Sequence, residues 1–137
     1  MTNPAAKIDI SVYGDRGPIM ADVVALLHVT FPDRGLKLID AKSRALRGGD
    51  IHELMLTDED TKPGDNANHV RVVCFFEVKQ GGLAVIGDKV TINGKPVGVV
   101  AGWDMTHMPN HMNFLVKCDN LDKIQVSVGD KLTVTMP

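Results

Sequence analysis

The sequence has few aromatic residues, few cysteines and no excess of charge of either sign. Aromatic residues make up 4% of its 137 positions, and there are two cysteines. Two cysteines are too few for a disulfide framework, so a reducing cytoplasm is the expected compartment. Fifteen basic residues face seventeen acidic ones, a balance that argues against binding to nucleic acid. No apolar run approaches the roughly 18 residues that span a bilayer, and the first residues lack the layout of a signal peptide, so we expect no membrane partner.

β-Branched residues are abundant instead. The chain has 17 Val, 8 Ile and 8 Thr against 9 Ala, a bias typical of strands. Short strand-like segments follow one another at a spacing of roughly 8–12 residues, which is typical of a barrel or a sandwich. We predict an all-β fold in which residues 1–137 form a single small β-barrel domain of short, mostly antiparallel strands.

The segments differ in how clearly they predict a structure. Residues 69–79 are apolar on both faces, which predicts a central strand. Residues 19–30 fit a helix or a strand, and their β-branched residues favour the strand. Residues 1–6 are expected to be a loose N-terminus, and residues 57–68 an exposed polar loop. The other predicted strands are 7–13, 36–40, 51–56, 83–86, 89–93, 96–102, 112–117, 123–126 and 131–136.

Two local patterns predict particular turns. Asn93-Gly94 is a strong signal for a two-residue hairpin. The sequence Gly87-Asp88, followed by Lys-apolar-Thr-apolar, recurs at Gly129-Asp130. We interpret this repeat as a common way to begin an outer strand of a small barrel.

Most of the unusual chemistry lies in residues 102–113. This segment holds two of the five histidines, three of the seven methionines and the only tryptophan. His107 and His111 are four residues apart, but Pro109 between them opposes a helix. A loop that brought Asp104 together with both imidazoles would present ligands suited to a divalent metal such as zinc.

The same segment supports other interpretations. Asp104, His107 and His111 could serve as acid–base groups, Asn110 and Asn113 could bind a ligand by hydrogen bonds, and Trp103 could form an apolar wall. Alternatively, His111 and Asn113 satisfy backbone groups within a tight loop. The residues alone do not decide whether the protein is an enzyme.

One resemblance involves this segment directly. Residues 104–113 (DMTHMPNHMN), together with 35–39, 43–46, 52–54 and 74–78, resemble a small family of bacterial proteins of unknown function. The stretch Thr-His-Met-Pro-Asn-His is the most specific part of the match. The resemblance implies no established activity.

A second resemblance concerns residues 83–134. They are similar to the second half of the glucitol/sorbitol-specific IIA component of the bacterial phosphotransferase system. The shared features are Gly94, the run Val-Val-Ala-Gly at 99–102, the strand entry at 111–114 and the closing Gly-Asp-Lys. The resemblance implies a β-barrel, but residues 73–77, where the phosphoacceptor histidine should lie, contain no histidine.

Three functional hypotheses follow. The first is a small cytoplasmic β-barrel that binds a small polar ligand at the 102–113 loop, directly or through a metal. The second is a phosphocarrier or regulator related to the IIA proteins. The third is a non-catalytic subunit of a homo-oligomer in which the Met-rich loop is an interface.

Overall fold

The computed structural model describes residues 12–137, and within that range the chain has strands and turns but no helix. No helix of this range could therefore span a membrane. The predicted loose terminus at residues 1–6 and most of the predicted strand 7–13 lie outside the described residues. The eleven strands are β1 (Ile19–Phe31), β2 (Leu36–Lys37), β3 (Ser43–Leu46), β4 (Ile51–Thr57), β5 (Asn66–Ala67), β6 (Val70–Gln80), β7 (Gly82–Val85), β8 (Lys89–Ile92), β9 (Lys95–Asp104), β10 (Asn113–Lys117) and β11 (Lys131–Thr135).

Seven strands form one sheet that closes on itself in the order β1-β11-β8-β9-β10-β4-β6, and β6 pairs again with β1. Every neighbouring pair in the ring is antiparallel except β10 and β4, which are parallel. Two small sheets, β2 with β5 and β3 with β7, lie beside the ring. The all-β prediction is confirmed.

Residues 19–30 and residues 69–79, which the sequence predicts to be strands, correspond to β1 and β6 of the ring. β6 pairs with β1 on one side and β4 on the other, which confirms its central position. β1 confirms the strand interpretation of residues 19–30. β11 pairs only with Ile19 to Asp22, so beyond Val23 the described part of the chain gives β1 a single paired neighbour, β6.

The interior of the ring is filled by apolar side chains from all seven strands. Trp103, Phe114 and Phe76 form the centre of this cluster, because their rings meet edge to face with centroids 6.1 and 5.8 Å apart. All three side chains are at most 1% exposed. Half of the few aromatic residues are thus used in the core.

A second apolar layer covers the outer face of part of the ring. It consists of Leu36, Leu38, Met55, Ala67, Val70, Val72, Ala101 and Leu115. Because this set includes residues of β2 and β5, the small β2–β5 sheet packs over β4, β6, β9 and β10. This outer cover explains why β4 and β6 bury side chains on both faces.

The hairpin and the repeated Gly-Asp turn are both observed. Asn93 and Gly94 have φ of 51° and 78°, the positive values that a two-residue hairpin of this class requires, and they join β8 to β9. In the repeat, Asp88 accepts the Val85 N–H at 2.9 Å, and Asp130 accepts the Ser127 N–H at 2.8 Å. The two turns precede β8 and β11, which are neighbours in the ring.

The connecting segment, residues 119–130, runs between β10 and β11 and contradicts one prediction. Residues 123–126 form no strand. Leu121 and Val126 instead pack into the interior cluster, and Arg71 of β6 donates hydrogen bonds of 2.6 and 2.8 Å to the carbonyl oxygens of Leu121 and Ile124. An arginine side chain therefore replaces the strand neighbour that these carbonyls would otherwise need.

The polar segment 57–68 is exposed over most of its length but contains β5. Thr57 and Ala67 are fully buried. The Thr57 hydroxyl donates to the carbonyl oxygen of His69 at 2.8 Å, and Glu59 accepts the N–H of Asn68 at 2.8 Å. Buried positions and hydrogen bonds thus hold both ends of the segment against the barrel.

Candidate functional site

The histidine loop, residues 105–112, connects β9 to β10 and brings its two histidines together. The His111 N–H donates to the carbonyl oxygen of His107 at 3.3 Å, and the Met108–Pro109 peptide bond is cis. The two imidazole rings stack with centroids 5.1 Å apart and an angle of 28° between their planes. A single tight turn, and not a helix, therefore places the histidines side by side.

Asp104 lies at the base of the histidine loop, where its carboxylate accepts hydrogen bonds from two backbone N–H groups. Its Oδ2 accepts the Lys37 N–H at 2.8 Å, and its Oδ1 accepts the Thr106 N–H at 2.8 Å. Burial would raise the pKa of Asp104, but hydrogen bonds from Thr106 and Lys37 and the charge of Arg34 outweigh burial, so the pKa lies below its usual range. The carboxylate is thus an ionised cap for two chain segments.

The carboxylate nearest to the histidines belongs to Glu53. Its Oε1 lies 3.0 Å from His111 Nε2, and the two side chains are 11% and 13% exposed. The contact is not a hydrogen bond, since Nε2 is a buried atom without a hydrogen-bond partner in the part of the chain that the structure describes. It is therefore an ion pair when His111 is protonated. Phe75 packs its ring edge to face on His111 at 5.2 Å.

Strand pairing explains how Glu53 reaches the loop. Glu53 is opposite Phe75 on β6 and opposite Asn113 on β10, and Asn113 is opposite Asp104 on β9. Paired residues of neighbouring strands point to the same face, so these four side chains form one row across the outside of the barrel. His111 packs on this row. The sequence does contain a signal for Glu53, because this carboxylate shares one face of the predicted strand with the apolar residues Ile51 and Met55.

His52 lies against the end of the histidine loop. Its Nδ1 accepts the Met112 N–H at 3.1 Å, and the Glu53 N–H donates to the Met112 carbonyl oxygen at 3.0 Å. Nε2 therefore bears the ring hydrogen, and it lies 3.9 Å from Asp50 Oδ2. Burial lowers the pKa of His52 below 6.5, against the opposing charge of Asp50. This neutral imidazole anchors the end of the histidine loop to β4.

Acidification is expected to destabilise the protein through His52. Because its pKa is lowered in the folded state, the unfolded chain takes up the proton first. The stabilising contribution is complete above about pH 6.5 and is lost as the pH falls toward the folded-state pKa. Each unit of lowering corresponds to about 1.4 kcal/mol. Urea denaturation between roughly pH 7 and pH 5 measures the loss.

The matched variant is His52→Gln, which retains an acceptor for the Met112 N–H but does not titrate. We expect its stability to fall less steeply with acidification than that of the wild type. His69→Gln, a substitution outside this cluster, should retain the full slope. Equal slopes for the wild type and His52→Gln would contradict the assignment.

The remaining predicted site residues lie in different environments. Trp103 is fully buried in the interior, so it presents no wall to a surface ligand, and its Nε1 has no hydrogen-bond partner among the described residues. Asn110 is exposed on the loop. Asn113 is 1% exposed and approaches Asp104 Oδ1 with its Nδ2 at 3.4 Å, and its buried Oδ1 has no partner within residues 12–137.

The predicted metal ligands are not assembled. Within residues 12–137 there is no group of three or more His, Cys, Asp or Glu side chains that could hold a metal ion. Asp104 directs both oxygens to backbone N–H groups, while the histidines lie by Glu53. The methionines also separate, since Met112 is buried, Met105 packs against the interior cluster and Met108 is 40% exposed.

The two cysteines have no evident chemistry. Both are free thiols and both are buried. Burial raises the pKa of Cys74 to about 12 and also raises that of Cys118. A thiol with a raised pKa forms little of the reactive thiolate at neutral pH. Neither cysteine is therefore a candidate nucleophile.

Comparison with known proteins identifies a family whose function is unknown. No curated protein and no solved structure matches the chain, so the resemblance to the IIA component stays a prediction. One family model, a family of unknown function (DUF6917), matches residues 13–135, which include the histidine loop, Glu53 and His52. The chain therefore belongs to this family of unknown function.

Proposed function

We propose that the protein binds a small polar ligand at the histidine loop, through the paired imidazoles of His107 and His111. The observation that supports this most strongly is the stack of exposed His107 on His111, whose Nε2 faces the largely buried carboxylate of Glu53 at 3.0 Å. A charged group with so little exposure is costly to hold unless it is paired. In this proposal Glu53 positions His111, and His107 meets the ligand.

The polar groups around the pair favour a hydroxyl-bearing ligand. The imidazole of His107 is exposed, and a neutral imidazole has one ring nitrogen that donates a hydrogen bond and one that accepts. A hydroxyl can donate one hydrogen bond and accept another, so it suits such a set better than a group that only accepts. The exposed amide of Asn110 adds a donor and an acceptor at the rim.

The proposed site binds its ligand directly. Three imidazoles and the Glu53 carboxylate lie at the loop, but residues 12–137 hold no metal-binding group of these side chains. The carboxylate of Asp104 is engaged by the N–H groups of Lys37 and Thr106. The alternative is a subunit interface formed by the Met-rich loop. The burial of the loop methionines does not favour it, because only Met108 of the three has an exposed side chain. The phosphocarrier alternative receives no support from the comparisons.

The test is chemical-shift mapping of the ¹⁵N-labelled protein with three chemically distinct probes, namely glucitol, citrate and inorganic phosphate. We expect glucitol to shift the amides of residues 105–113 and of Glu53. His107→Ala should weaken that binding about tenfold, which corresponds to about 1.4 kcal/mol. His69→Gln is the control and should bind as the wild type does.

The same titration is repeated after dialysis against EDTA, and direct binding predicts an unchanged affinity. Loss of binding after EDTA would show that a metal takes part and would overturn direct binding. Absence of loop shifts with all three probes would contradict the proposed site. Shifts with phosphate alone, together with a phosphorylated imidazole signal after incubation with phosphoenolpyruvate and the general phosphotransferase proteins, would favour the phosphocarrier instead.

A further inference from the structure

A large cleft lies at the end of the barrel opposite to the histidine loop. It has a volume of about 990 Å³ and lies between the β8–β9 hairpin and the chain that follows β10. Ligand pockets typically have volumes of about 300–1,000 Å³. Because β10 runs from the histidine loop at Asn113 to the cleft at Lys117, the two regions are separated by about 13 Å along this strand.

One wall of the cleft is apolar. Pro96, Val97 and Val99 line it from β9, and Ile124 lines it from the connecting segment. Val99 remains 40% exposed there. Val97 and Ile124 also pack against the interior cluster, whereas Pro96 and Val99 are exposed. The exposed hydrocarbon favours a ligand with an apolar body, since burial yields about 25 cal/mol per Å².

Three lysines stand around this wall. Lys95, Lys117 and Lys123 line the cleft. Lys117 pairs with Asp60 at 2.8 Å, but the Asp60 side chain is 97% exposed, so water screens that pair. The side-chain ammonium groups of Lys95 and Lys123 make no ion pair or hydrogen bond in the part of the chain that the structure describes.

Two carboxylates also line the cleft, and one of them already accepts hydrogen bonds from other residues. Asp130 accepts the Ser127 N–H at 2.8 Å and the Asn93 side-chain amide at 2.9 Å, and these bonds lower its pKa. Asp119 is the other acidic lining residue. Cations therefore outnumber carboxylates on the lining, and the unpaired cations lie beside hydrocarbon.

We propose that this cleft binds a small amphipathic organic anion, with its head group between Lys95 and Lys123 and its hydrocarbon body on the wall formed by Val97, Val99 and Ile124. The head group is a carboxylate or a phosphate ester, because both are single anionic groups that accept hydrogen bonds from ammonium groups. The amides of Asn120 and Gln125 at the rim can bind further polar atoms. This site is independent of the histidine loop.

The experiment titrates the ¹⁵N-labelled protein with octanoate, which combines a carboxylate with an unbranched hydrocarbon chain. We expect shifts at residues 92–99 and 117–125. Octanol, which lacks the charge, and acetate, which lacks the hydrocarbon, should each bind at least about tenfold more weakly, because each omits one of the two interactions. Octyl phosphate in place of octanoate distinguishes the two head groups.

The lysine test uses a double variant, Lys95→Gln with Lys123→Gln, and a matched control, Lys62→Gln. Lys62 is an exposed lysine of the 57–68 segment and does not line the cleft. The double variant should weaken octanoate binding about tenfold, and the control should leave it unchanged. Equal affinities of the double variant and the control, or equal binding of octanol and octanoate, would overturn the anionic assignment.

The residues whose chemical shifts change distinguish the cleft proposal from the proposed binding at the histidine loop. Octanoate shifts confined to residues 105–113 would refute the cleft and leave the histidine loop as a binding site. Octanoate shifts at residues 92–99 and 117–125, with no probe affecting the loop, would support the cleft and refute the loop. An absence of octanoate shifts throughout the chain would refute the cleft.

Discussion

Asp88→Ala is expected to lower the free energy of unfolding by about 3–5 kcal/mol, because it removes one partner of a buried ion pair. Arg16 donates to the two oxygens of Asp88 at 2.6 and 2.8 Å, and the Arg16 and Asp88 side chains are 14% and 2% exposed. Arg16 also donates to the Leu83 carbonyl oxygen at 2.8 Å. The pair thus ties the chain before β1 to the β7–β8 turn, and the variant leaves the guanidinium without its anion.

The repeated turn provides the control for this prediction. Asp130 occupies the same position of the second Gly-Asp turn and accepts the Ser127 N–H in the same way, but it has no arginine partner among residues 12–137. Asp130→Ala removes the hydrogen bonds from the Ser127 N–H and the Asn93 side-chain amide but no ion pair, and should cost about 1–2 kcal/mol. Urea denaturation of both variants measures the difference. Equal losses would mean that the ion pair contributes nothing beyond the turn.

Trp103→Ala is expected to cost about 3–5 kcal/mol as well, since it empties the centre of the barrel. The Trp103 side chain is fully buried and packs edge to face on Phe114 at 6.1 Å. Trp103→Phe should cost much less, because it retains a ring and removes an indole N–H that has no hydrogen-bond partner, an orphan donor that is itself unfavourable when buried.

The matched control for Trp103 is Phe31→Ala, an aromatic residue that is 38% exposed at the end of β1. Its truncation should cost about 1 kcal/mol. Thermal and urea unfolding of the three variants measure the order of the losses. A loss for Trp103→Ala no larger than that for Phe31→Ala would show that the tryptophan faces a binding surface and not the core.

Much of the strand pattern could be predicted because it is a local property. Alternation of apolar and polar residues, and apolar residues on both faces of residues 69–79, depend only on neighbours along the chain. The hairpin at Asn93-Gly94 could be predicted because Asn and Gly adopt positive φ readily, and both residues have positive φ in the structure. Residues 123–126 have the composition of a strand, but they lie where Arg71 supplies the hydrogen bonds, and nothing near them in sequence indicates this.

Within the candidate site, only contacts between residues that are close together in the sequence could be predicted. The spacing of His107 and His111 brings the rings together across one turn, and the sequence indicates that pairing. Glu53 and His52 reach the loop because β4 and β10 pair in parallel, which makes His52 and Met112 partners although they are 60 positions apart. The sequence instead suggested Asp104, the nearest carboxylate in the chain, whose oxygens are taken by Lys37 and Thr106.

By itself, the sequence determined the all-β class, most of the strands, the Asn93-Gly94 hairpin and the placement of two histidines on one loop, because steric preferences and side-chain alternation act between neighbours. Tertiary structure alone decided how the sheet closes and which side chains meet across it. Closure moved Trp103 into the core, placed Glu53 beneath His111 and created the cleft between the β8–β9 hairpin and residues 117–125. These outcomes depend on contacts between distant segments, which no local pattern specifies.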